Sequence, residues 1–155
     1  MSATRPPNRV QIDWAGEHRF DAGRATGGPT VRIDADAKTG PGPVDALLIA
    51  LGTCTAVDVV DILAKRRTPV ESLTVDVHAE RADAVPAKLT HVRLTYDITG
   101  AGIDRVHAER AVQLAVEKYC SVRDSLDPAI GVEWAVTLNG EAATAAADAA
   151  AAPSA

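Results

Sequence analysis

Val44-Asp45-Ala46-Leu47-Leu48-Ile49-Ala50-Leu51-Gly52-Thr53-Cys54-Thr55-Ala56-Val57-Asp58-Val59-Val60-Asp61-Ile62-Leu63-Ala64-Lys65 is the stretch on which the fold turns. It reads as one helix from about Val44 to Lys65, apolar on most of its circumference, and such a helix belongs at the centre of a structure. Lys38-Thr39-Gly40-Pro41-Gly42-Pro43 breaks the chain before it. Pro43 suits a first helical turn, where a missing N–H costs little. Arg66-Arg67-Thr68-Pro69 stops the helix, and positive charge suits a helix C-terminus. Asp58, Asp61 and the central Gly52 favour a buried helix over a membrane span. One small sheet covers only one side of such a helix. A dimer that packs two of them between two sheets would cover the rest.

Alternating segments flank the helix. Val10, Ile12 and Trp14 alternate with polar residues over 9–14, the period of a half-buried strand. A second strand is expected around His18–Ala22 and a third over Thr30–Asp34. Beyond the helix, Leu73, Val75, Val77 and Ala79 mark one strand, and Val92, Leu94, Tyr96 and Ile98 another. Ala82–Lys88 joins these two as an antiparallel pair. Asp104 is the expected cap of a helix over Arg105–Tyr119, with Ala108, Ala111, Val112, Ala115 and Tyr119 on its apolar face. Ser121 is the expected cap of a short turn, and a last strand holds Val132, Trp134, Val136 and Leu138. This order predicts an α+β domain over 9–140 with a mostly antiparallel sheet around the long helix. Residues 1–8 read as a flexible N-terminus, and the Ala-rich 141–155 as a disordered tail.

The 155 residues suit one domain, and 46% hydrophobic content gives it a core. Aromatics are only 3%, so the core is built from Val, Leu, Ile and Ala. A net charge of −5 with no basic stripe argues against nucleic acid as a partner. Residues 1–7 hold no apolar run that would serve as a signal peptide, and two cysteines make no disulfide framework. A cytoplasmic location is expected.

Those cysteines are the candidate chemistry. Cys54 sits among Gly52, Thr53 and Thr55, small residues that leave room for a substrate and hydroxyls that could donate to a thiolate. A helix break at Gly52 would place Cys54 in a first turn, where free N–H groups favour the anion. The plain alternative is a packed core cysteine. Cys120 follows Val116-Glu117-Lys118-Tyr119 at an expected helix end, a partly exposed place, again as a reactive or a packing thiol. Arg24, in the glycine-rich loop before the third strand, is a candidate cation, or else a solvated loop arginine. Asp58, four residues after Cys54, would raise a thiol pKa and reads as a paired or solvated acid. No CxxC or HxxxH occurs, the four histidines are scattered, and GxSxG and P-loop patterns are missing. No metal or cofactor is expected.

Gly42 to Val60 resembles the central-helix motif of the OsmC/Ohr superfamily. Ala115-Val116-Glu117-Lys118-Tyr119-Cys120-Ser121-Val122 resembles that family's second-cysteine motif. The resemblance runs over roughly 9–140. It implies an intertwined homodimer with each active site drawing on both subunits. It implies that Cys54 is the peroxidatic thiol and Cys120 the resolving one, in a cysteine-based reductase of organic hydroperoxides. It also implies that a dithiol, a lipoylated protein or a small thiol, reduces the disulfide. The family's acid that holds the catalytic arginine follows the motif's Pro directly. Here Val44 stands there, and Asp45 beside it is the candidate acid. The match is closest to an OsmC-like branch with a Cys-Thr-Ala-x-Asp-Val-Val run. The competing functions are a non-catalytic dimer that binds a small apolar ligand in the same cleft, and a structural dimer with inert cysteines.

Overall fold

The computed structural model describes residues 4–145. The chain divides into two compact units, up to Leu47 and from Leu48 onward. The first unit holds an antiparallel sheet in the order β1 (Val10–Trp14), β2 (Arg19–Arg24) and β3 (Thr30–Asp34). Its register pairs Trp14 with Phe20 and Phe20 with Ile33. The alternation in 9–14 correctly predicts a strand, but that strand is not half-buried. Val10, Ile12, Trp14, Phe20 and Val31 are all exposed. Asp34 is buried and closes the turn after β3, accepting from Thr39 Oγ1 (2.8 Å), Thr39 N and Asp36 N (both 3.0 Å). The Thr39 hydroxyl and these amides hold its carboxyl down at about 2.

The long helix α1 spans Pro43–Lys65. At its start, Asp45 Oδ2 accepts from Gly42 N at 2.9 Å, as an acid in a first turn does when it reaches back to free N–H groups. The helix runs unbroken through Gly52, so Cys54 lies mid-helix and not in a fresh first turn. By length and composition α1 could cross a membrane, but Leu51, Gly52, Thr55, Val59 and Leu63 form a buried stripe within the second unit. The opposite side, with Ile49, Val57 and Val60, is exposed.

The second unit carries a four-stranded sheet in the order β4 (Ser72–Arg81), β5 (Leu89–Thr99), β6 (Gly131–Leu138) and β7 (Glu141–Ala145). β4 and β5 are antiparallel, as read from the sequence, whereas β5 and β6 are parallel. The chain returns to β6 through helices, which is what a parallel crossover requires. Val92, Leu94, Tyr96 and Ile98 face the core beside Val132, Trp134, Val136 and Leu138. β7 pairs antiparallel with β6 and takes up the first five residues of the expected tail. Residues 146–155 lie outside those described.

The helical crossover departs from the sequence reading. α2 covers Arg105–Leu114, and Ala115–Tyr119 then forms a wider π-helical turn. A short α3 follows at Ser121–Asp124. Asp104 occupies the N-cap position of α2, but its side chain makes no cap. It lies 3.5 Å from His107 Nδ1 instead. The cap of α3 is Cys120, not Ser121.

Candidate active site

The turn Gly52–Thr55 lies hard against the sheet because residue 52 has no side chain. A Cβ there would stand 3.0 Å from Val77 Cγ2 on β4. Two buried hydroxyls tie the same turn to β5. Tyr96 donates its phenol O–H to Thr55 Oγ1 at 2.6 Å, and Thr55 Oγ1 donates to Gly52 O at 2.9 Å. Burial pushes the Tyr96 phenol well above its ordinary value, so it stays a neutral donor. Thr53 Oγ1 donates to Ile49 O at 2.7 Å. Both threonine hydroxyls therefore spend their protons on helix carbonyls. The expected donation to a Cys54 thiolate is not made.

Cys54 is half-exposed on α1. The π-helical turn brings Cys120 to it. In a continuous α-helix the inward position after Ala115 would be Tyr119, four residues on. The extra residue of a π turn passes that position to Cys120. Cys120 is accordingly buried and Tyr119 exposed, the reverse of the expected apolar face. Both cysteines are free, and the Cys54 thiol lies near enough to act on that of Cys120. Cys120 Sγ also accepts from Arg123 N at 3.2 Å. The Arg123 side chain donates to Ile130 O at 3.1 Å, anchoring the start of α3. Burial first, and then the neighbouring Cys54 sulfur, push the Cys120 thiol up to about 11 against the opposing pull of the Arg123 amide. Cys120 is thus a protonated thiol at neutral pH, beside the Cys54 sulfur.

The other two candidates belong to the first unit. Arg24 ends β2, exposed, and not in the loop that follows. Asp45 uses a carboxylate oxygen on the start of α1.

Residues 35–135, most of the chain, match the family model for OsmC-like protein. The chain belongs to the OsmC-like family. Protein YhfA of Escherichia coli strain K12 is 35% identical over 125 residues, covering 80% of this chain and 92% of that one. The crystal structure of a hypothetical protein from Aquifex aeolicus VF5 superposes with a TM-score of 0.73 at 25% identity, over 87% of this chain and 99% of that one. The organic hydroperoxide resistance protein OhrB of Bacillus subtilis gives a TM-score of 0.57 at 14% identity, over 84% and 98%. At that identity the likeness carries the fold alone.

Within this OsmC-like fold the sequence reading overlooked Tyr96 and Arg123 and gave Thr55 another role. Tyr96 reads as one more apolar residue of β5, and Thr55 as a candidate donor to a Cys54 thiolate. Neither pattern says that two hydroxyls 41 residues apart will meet. A hydroxyl-bearing residue at an inward strand position was the available signal, since a buried phenol needs a partner.

Proposed function

We propose that the protein is a thiol peroxidase that reduces organic hydroperoxides. The observation that carries this is the pair of neighbouring free thiols, one half-exposed and one buried. The OsmC-like family includes peroxidases, which supports the reading. The Cys54 thiolate attacks the terminal peroxide oxygen and the O–O bond breaks. The alcohol leaves with a proton, and Cys54 becomes a sulfenic acid. Cys120 then attacks the Cys54 sulfur, water leaves and a disulfide forms, which blocks over-oxidation. A dithiol, such as a lipoylated protein or a small thiol, returns both cysteines to the reduced state. Arg24 is the proposed cation and Asp45 its proposed holder, within a homodimer whose second copy covers the bare side of α1. The free thiols suit the reducing cytoplasm.

An apolar groove of about 320 Å³ runs along α1 past Thr53, Ala56, Val57, Val60 and Asp61, next to the Cys54 turn. An alkyl group buried there contributes about 0.8 kcal/mol per CH₂, so four carbons favour an organic peroxide over hydrogen peroxide by about a hundredfold. The same groove is the observation behind a second reading, a non-catalytic dimer that holds a small apolar ligand. Consumption of cumene hydroperoxide with dithiothreitol, by wild type and Cys54→Ser, decides between them. The peroxidase reading expects turnover that the variant loses completely, because serine supplies no thiolate at neutral pH. Equal consumption by the two proteins would falsify it.

A further inference from the structure

We propose that the Cys54–Cys120 disulfide is reopened at Cys54: an external thiol bonds to Cys54 and Cys120 is the leaving group. This rests on the peroxidase reading only for when the disulfide arises, and the geometry itself does not depend on peroxide. Thiol–disulfide exchange needs the attacking, central and leaving sulfurs nearly in line, so access behind the attacked sulfur decides which one reacts. Cys54 is half-exposed on α1. Cys120 is only 4% exposed. Arg123 N donates to its sulfur, and the Arg123 side chain fastens α3 to Ile130 O. A thiol reaching Cys120 from behind would have to displace that helix start.

Leaving-group chemistry opposes this choice. Burial pushes Cys120 up to about 11, and a basic thiolate leaves slowly. On a Brønsted slope of about one half, that slows departure on the order of tenfold relative to an ordinary cysteine. A blocked line of approach excludes attack altogether, so access wins and the electronic effect appears as slow reduction. The departing Cys120 thiolate takes up a proton and remains beside the Cys54 mixed disulfide. With a monothiol reductant, Cys120 re-attacks Cys54, expels the monothiol and restores the original disulfide. With a dithiol, the reductant's second sulfur attacks its own bonded sulfur. A cyclic disulfide forms, Cys54 leaves as thiolate, and both protein cysteines end reduced.

The disulfide is made with diamide, without peroxide, so the outcome is separate from peroxidase activity. After a brief pulse of 2-mercaptoethanol, acid quench and N-ethylmaleimide, unreduced peptides are mapped by mass spectrometry. Mercaptoethanol on Cys54 and maleimide on Cys120, by about tenfold or more over the reverse, is the expected map. The reverse map, an even mixture, or no disulfide with diamide overturns the proposal. A mercaptoethanol adduct preformed on Cys54 should also outlive the wild-type adduct by about tenfold or more in Cys120→Ser, which has no neighbour to expel it. Equal lifetimes overturn the proposal too. Peroxide consumption by the same wild-type preparation, measured in parallel, stands or falls by itself.

Discussion

Replacing Cys120 with serine removes the second thiol but keeps an acceptor for the Arg123 amide, since serine is a good N-cap. Cys54 in this variant should still be oxidised by peroxide, and without reductant should pass to sulfinic and sulfonic acid faster than in wild type. Intact mass reads the difference, and equal over-oxidation would remove Cys120 from the resolving role. The same variant tests the buried thiol. The unfolded chain releases the Cys120 proton near pH 9, whereas the folded protein holds it to about 11. The resulting stability is complete below pH 9 and is lost as pH rises through 11, by on the order of 2 kcal/mol in all. Urea midpoints of wild type should therefore fall more steeply than those of Cys120→Ser across that window. Tyr96→Phe removes one buried hydrogen bond while Thr55 keeps its bond to Gly52 O, so it should cost about 1 kcal/mol. A neutral result in denaturant titration would mean that the phenol does not help hold the Cys54 turn.

The elements were legible in the sequence to different degrees. The strands at Thr30–Asp34, Leu73–Ala79 and Val92–Ile98 could be read because strict alternation has one structural meaning. The long helix could be read because its length and continuous apolarity leave few other outcomes. The π-helical turn could not, because an extra residue in a helix changes which side chain points inward without changing composition. Deleting the exposed Lys118 should turn 115–119 back toward an α-helix and leave the thiol at the inward position four residues after Ala115. Disulfide formation with diamide should then survive, and its loss would show that the π turn does more than set register. Gly52 makes the matching test on α1. Alanine there gains about 1 kcal/mol of helix propensity but puts a methyl 3.0 Å from Val77, so the two effects largely cancel. Valine adds bulk in the same place and should destabilise by about 1–3 kcal/mol in denaturant midpoints.

At the scale of the molecule, one side of α1 and one face of β1–β3 leave large apolar side chains exposed, among them Ile49, Val57, Ile12 and Trp14. Water makes such faces costly, and a second copy is the proposed cover. Val57→Asp should therefore dissociate or unfold the assembly, whereas at a solvated site it would change stability by less than about 0.5 kcal/mol. Light scattering across a concentration series reads this, and a folded wild-type monomer at micromolar concentration would remove the dimer. The sequence by itself determined the α+β class, the long apolar helix and the two cysteines as the candidate chemistry, because periodicity, continuous apolarity and residue type act locally. Only the tertiary structure decided that the thiols meet, that Cys120 lies inward and caps α3, and that the threonine hydroxyls are spent on the backbone. Those outcomes depend on contacts between residues tens of positions apart and on which side chain a helical turn points inward, and no local pattern records either.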